Sequence, residues 1–144
     1  MQTTSTEIKQ LAERYGAAWN DHDLDTIMEM HAEDSVFELS MDGAEVKGVE
    51  AIRQAFTGIF AMWPDIHFET RRLYSGENLF VHEYTITATL AQPLPLGEML
   101  IQPTGNPVQF NGVDVIPVED GLVQRKDTYL DLVAAQRQFG LLSG

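Results

Sequence analysis

The chain has 144 residues, 44% hydrophobic and 22% charged, which suits one globular domain spanning residues 1–144. Its 22 acidic and 9 basic side chains leave a formal charge of −13, the wrong sign for binding nucleic acid or an anionic membrane. The absence of cysteine removes disulfides, thiolate nucleophiles and cysteine-held metals. With no signal-like N-terminus and no apolar run near ~20 residues, a cytoplasmic protein is expected.

Over residues 5–20 the apolar side chains Ile8, Leu11, Tyr15, Ala18 and Trp19 recur at helical spacing, with Ser5 or Thr6 as the cap. The polar cluster Asn20-Asp21-His22-Asp23 breaks this helix and caps a second over 24–31, giving an αα-hairpin. Residues 35–41 alternate as a strand with Phe37, Leu39 and Met41 on one face, and Asp42-Gly43 is a turn signal. A third helix follows Gly48, runs over 49–62 and stops at Trp63-Pro64-Asp65.

The pattern then switches to strands over 66–74, 79–90, 108–118 and 122–130. Between the middle two, residues 91–107 combine Pro93, Pro95, Pro103 and Pro107 with Leu94, Leu96, Met99 and Ile101. Such an apolar loop is either a core flap or a lid over a pocket. Asp131 caps a last helix through Phe139. Helices first and long strands after predict an α+β fold with an antiparallel sheet.

No phosphate-binding glycine loop, nucleophile elbow or His-Glu-x-x-His metal helix is present. His67 and Glu69 share a strand face as metal ligands would, but a solvated face explains them as well. Two polar groups lie on apolar faces. Tyr15 shares the stripe of Leu11, Ala18 and Trp19, and a buried phenol needs a partner. Asp114 shares a strand face with Phe110, Gly112 and Ile116, where desolvation favours the protonated carboxyl, a donor to a developing oxyanion. An ordinary core tyrosine and a solvent-facing aspartate are the alternatives.

The segments Arg14-Tyr15-Gly16-Ala17-Ala18-Trp19-Asn20, Asp23-Leu24-Asp25, Glu33-Asp34-Ser35-Val36-Phe37, Gly48-Val49-Glu50-Ala51-Ile52-Arg53 with Phe56, and Asp120-Gly121-Leu122-Val123 leading into Tyr129-Leu130-Asp131 together resemble the nuclear transport factor 2-like superfamily. The resemblance implies a cone, a bent sheet wrapped around a pocket and closed by the N-terminal helices. In its ketosteroid isomerase branch a tyrosine and a protonated aspartate form an oxyanion hole, falling on Tyr15 and Asp114, while the catalytic base falls on Leu39. The C-terminal stretch looks most like the SnoaL-like polyketide cyclases, which close rings by an aldol step without a metal. Their acid/base aspartate falls on Thr128, beside Asp127, and their pocket histidine on Ile116. Only a one-residue bulge would turn Asp127 inward.

The expectation is therefore an enzyme, without cofactor or metal, that enolises a small and mostly apolar carbonyl compound: an isomerase, an aldol-type cyclase or a related eliminating enzyme. Tyr15 and Asp114 would hold the enolate oxygen, Asp127, His82 or Glu83 would be the base, and Trp19, Phe37, Leu39, Trp63, His82, Phe110, Ile116 and Thr128 would line the pocket. A non-catalytic binder of a small hydrophobic molecule stands as the alternative, favoured by Leu39 and Thr128, with a dimeric scaffold of filled core behind it. Val108, Val113, Val115, Val123 and Tyr129 suggest an apolar outer face that pairs a homodimer.

Overall fold

A computed structural model describes residues 5–40, 43–96 and 98–140. Helix α1 (Ser5–Asn20) and the short α2 (Leu24–Glu29) form the expected hairpin, and Asp23 caps α2 by accepting the Thr26 amide at 3.2 Å. Strand β1 (His31–Leu39) and the three-residue β2 (Glu45–Lys47) precede α3 (Val49–Met62). Strands β3 (His67–Ser75) and β4 (Leu79–Ala88), a small hairpin of β5 (Leu94–Leu96) and β6 (Met99–Ile101), β7 (Val108–Glu119), β8 (Leu122–Leu130) and α4 (Leu132–Gln138) complete the chain.

The main sheet runs β2-β1-β8-β7-β4-β3, antiparallel except where β1 lies parallel to β8. Strand β7 shows why the sheet has an inside. From Val108 to Val118 every second residue is buried, and the residues between are half-buried or exposed. Helix α1 crosses the concave face with Ile8, Leu11, Tyr15 and Trp19, meeting Ile52 and Phe56 of α3 and Phe80, Ile116 and Val123 of the sheet. Its end is pinned to β3 by Asn20, whose side chain donates to the Phe68 carbonyl (2.9 Å) and accepts the Phe68 amide (2.8 Å). A second apolar cluster, with Ile66, Tyr84, Ile86, Val108, Phe110 and Ala135, fills the other end of the sheet.

Four sequence expectations need correction. The second helix stops at Glu29 rather than 31, because the Met30 amide already closes on the Ile27 carbonyl and His31 opens β1. The first strand therefore begins at 31, and its expected end at Met41, with Asp42 of the turn, lies outside the described residues. The apolar segment after β4 is a hairpin rather than a plain loop, with Leu94 and Ile101 turned inward. Val108 and Val123, expected on the outer face, belong to the core, while Val113 and Val115 are half-buried and Tyr129 is exposed on the outside. Among the described residues no helix is long and apolar enough to cross a membrane.

Candidate functional site

Between α3, α4, the β5–β6 hairpin and the concave sheet lies a cavity of about 360 Å³, large enough for a small organic molecule. Its walls are almost wholly apolar. Trp19, Phe37, Leu39, Trp63, Phe110 and Thr128 line it, as expected, together with Phe68, Tyr84, Leu130 and Phe139. Two expected wall residues do not. Ile116, two positions beyond Asp114 on β7, is packed in the core under α1. His82 turns to the far side of the sheet's concave face, where its Nε2 lies 2.8 Å from the Thr70 hydroxyl in a separate hollow under α1. Burial lowers the His82 pKa, against the pull of the Asp114 carboxylate.

At the floor, three donors converge on Asp114. The Tyr84 and Thr128 hydroxyls each donate to Oδ1 at 2.8 Å, and Lys126 Nζ donates to Oδ2 at 2.8 Å. Lys126 also donates to the Thr128 hydroxyl oxygen at 2.8 Å, and its ammonium stands 5.3 Å from the Trp19 ring centre and 5.7 Å from that of Phe37. Lys126 and Asp114 are each only 5% exposed, so this is an ion pair out of water with further hydrogen bonds on both partners. Burial and the neighbouring Asp114 charge push the Tyr84 phenol well up. Gly112 makes room for that ring: a Cβ there would stand 2.7 Å from Tyr84 Cε1 and 2.8 Å from Leu130 Cδ2.

Lys126 faces inward because β8 carries a bulge. Val115 pairs with Asp127, but Val118 pairs with Val123, so β8 uses one residue more than β7 over this stretch. The extra residue lets Val123 and Lys126, three positions apart, both turn into the core. A bulge is present, as inward rotation of Asp127 would have required, but it delivers Lys126 and sends Asp127 outward. There Asp127 accepts from Arg125 at 2.9 Å, beside Glu38 and Glu45, which meet the same guanidinium. Glu83 is likewise on the outer face, paired with Arg72. Neither Asp127 nor Glu83 reaches the cavity.

Tyr15 is buried but elsewhere. Its hydroxyl lies 2.8 Å from His31 Nε2, whose Nδ1 lies 3.0 Å from the Ser35 hydroxyl. A neutral imidazole serves both, donating at one nitrogen and accepting at the other. Burial, aided by the Lys126 charge, lowers the His31 pKa to about 4. Burial likewise pushes the Tyr15 phenol up. The adjacent Trp19 Nε1–H is buried without a hydrogen-bond acceptor among the described residues. Tyr15 and Asp114 thus do not converge as a pair of oxyanion donors: the tyrosine ties α1 to β1, and Asp114 accepts rather than donates.

Two of the three Lys126 protons are engaged, which leaves one for an acceptor in the cavity. Among the described residues no carboxylate or imidazole lines the wall, and its titratable groups are Lys126 and Tyr84. Among the described residues no cluster of three or more histidine or acidic side chains is placed to hold a metal ion. The site can therefore polarise one oxygen of an otherwise apolar molecule.

A family model for the SnoaL-like domain matches residues 12–126. Among solved structures, AclR from Streptomyces galilaeus, a candidate hydroxylase, is 26% identical with a TM-score of 0.80, over 98% of this chain and 89% of that one. A candidate SnoaL-like polyketide cyclase from Jannaschia sp. CCS1 is 18% identical with a TM-score of 0.83, over 99% of this chain and 98% of that one. IdmH from Streptomyces antibioticus, a candidate polyketide cyclase, is 21% identical with a TM-score of 0.75, over 92% and 97%. The last two share the fold. No curated protein sequence matches the chain. A curled sheet enclosing an apolar cavity and a family match over most of the sequence lead to one assignment: the chain belongs to the SnoaL-like domain family, within the nuclear transport factor 2-like superfamily.

Proposed function

We propose that the protein is an enzyme that enolises a small, largely apolar carbonyl compound, the class of step shared by isomerisation and aldol-type ring closure. The observation that carries this reading is the Lys126 ammonium on the wall of an apolar cavity, with Asp114 behind it and one proton unengaged. In a water-poor hollow such a donor is worth more to a developing enolate than to a neutral carbonyl, which lowers the barrier rather than merely tightening binding. Lys126 takes the electrophilic role first expected of Tyr15 and Asp114. Thr128 and Tyr84 hold Asp114 in place, and Asp114 holds Lys126. The aromatic walls, among them Trp19, Phe37 and Phe139, suit a flat, conjugated substrate. The names of the similar cyclases support the same class. A homodimer through the outer sheet face around Val113, Val115 and Tyr129 belongs to this proposal.

The test uses naphthyl methyl ketone and the matching ethylnaphthalene as probes. Wild-type protein should bind the ketone about tenfold or more tightly than the hydrocarbon, the increment of a charge-assisted hydrogen bond, and Lys126→Met should bind both alike. In heavy water, proton NMR should show the ketone's methyl protons exchanging faster with wild type than with buffer, and no faster with Lys126→Met. Discrimination without exchange would instead support the non-catalytic binder, which the lack of a carboxylate or imidazole among the described residues of the cavity wall favours. No discrimination at all would remove the carbonyl reading.

A further inference from the structure

Enolisation needs a group to take a proton as well as one to stabilise the oxygen, and among the described residues the cavity wall carries no carboxylate or imidazole. Its nitrogen nucleophile among them is Lys126. This lysine is enclosed at 5% exposure, faces the apolar hollow, and has a carboxylate and a hydroxyl each 2.8 Å from Nζ. Enclosure in an apolar hollow is the setting in which a lysine amine attacks carbonyls, and the Asp114 carboxylate beside it is placed to take the proton the amine must shed.

We propose that Lys126 condenses with this small apolar carbonyl compound to form a protonated imine, so that enolisation proceeds as enamine formation. This rests on the carbonyl reading and deepens it. One proton passes along the hydrogen bond from Lys126 Nζ to Asp114 Oδ2, and the freed lone pair attacks the carbonyl carbon. A C–N bond forms as the C=O π pair moves to oxygen, and the proton on Asp114 Oδ2 passes to that oxygen, while the Thr128 hydroxyl, which accepts from Nζ, is placed to carry the next proton from nitrogen. A further proton, from nitrogen to the hydroxyl oxygen, lets the C–O bond break and water leave. The sum is carbonyl plus lysine ammonium giving iminium plus water, with no change in charge.

Charge conservation is the physical reason the site suits this reaction. The iminium carries its positive charge at the nitrogen that Asp114 already faces, so the carboxylate is never left buried and unpaired. The rings of Trp19 and Phe37, at 5.3 and 5.7 Å from Nζ, face either cation equally well. An α-proton of the iminium is then acidified by the adjacent cation, which lessens the demand on the base that removes it.

Three lysines in the whole sequence make the test clean: Lys9 and Lys47 are exposed, and Lys126 is enclosed. The folded protein is incubated with naphthaldehyde and sodium cyanoborohydride, and the reduced adduct is located by intact-mass measurement and peptide mapping. The expected result is a single naphthylmethyl group on Lys126, accumulating at least tenfold faster than on Lys9, Lys47 or the amino terminus, and suppressed by excess naphthyl methyl ketone. Lys126→Arg keeps a cation beside Asp114 and should retain the fold while losing the fast label. If wild type discriminates ketone from hydrocarbon but Lys126 labels no faster than Lys9 and Lys47, the imine is overturned and the hydrogen-bonded reading stands. If both the discrimination and the label are missing, both fail.

Discussion

Asp114→Asn should destabilise the protein by about 3–5 kcal/mol, the usual cost of leaving one member of a buried ion pair without its partner. The replacement is isosteric, so no cavity opens. What changes is that Lys126, 5% exposed and surrounded by Trp19, Phe37 and Thr128, keeps its charge with no counter-ion. The amide also brings its own N–H donors to a place where Tyr84, Thr128 and Lys126 already donate. For a domain of this size that loss lowers the Tm by roughly 10–17 °C. Adding Lys126→Met should restore a large part of it, because the orphaned charge is then gone and an apolar side chain of similar length fills the same space. Urea unfolding of the two single variants and the double variant gives the coupling. A single-variant loss below about 1 kcal/mol would mean that water reaches the pair, in the range of a surface salt bridge.

The second large effect is one of pH. Burial holds the His31 imidazole neutral down to about 4 in the folded protein, against an ordinary value of 6.5 when unfolded. Between those values the unfolded chain binds a proton that the folded one does not, so stability falls as pH falls. The contribution is complete above about 6.5 and exhausted below about 4, and the gap corresponds to about 3 kcal/mol. His82, also lowered, acts in the same direction. His31→Gln removes the titration while leaving an amide near Tyr15 and Ser35. From pH 7 to pH 5, wild type should lose about 2 kcal/mol more than this variant in urea unfolding. Parallel losses would show that His31 titrates normally in the fold.

The architecture was largely legible because its signals are periodic. The apolar stripe of α1, the helix from Val49 to Met62 and the alternation of β7 each follow one repeat from end to end. The cavity wall was legible for the same reason: Phe37 with Leu39 on β1, and Phe110 on β7, share strand faces. The floor was not. Counted forward from Val123, alternation turns Arg125 inward and Lys126 out; counted back from Leu130 and Thr128, it turns Lys126 inward. Only the extra residue of β8 reconciles the two, and Arg125-Lys126-Asp127 otherwise reads as a solvated run of charge. The one signal available was this conflict between the two ends of the strand. Tyr84 was hidden differently. Its reach to Asp114 depends on Gly112 across the ladder, a pairing that register fixes and local sequence does not. Tyr15, in turn, was rightly judged buried, but its partner was a histidine assigned to a helix that ends two residues earlier.

Infrared difference spectroscopy of naphthyl methyl ketone in the cavity interrogates the Lys126 contact directly. With wild-type protein the carbonyl stretch should move below its frequency in water, because an ammonium in an apolar pocket polarises the bond more than solvent does, or give way to a C=N stretch where the imine has formed, and with Lys126→Met it should stay a carbonyl stretch at its value in hydrocarbon. A hydrocarbon-like frequency in both proteins would mean that the oxygen never meets the lysine, and the site would then be an apolar pocket with a structural ion pair beneath it.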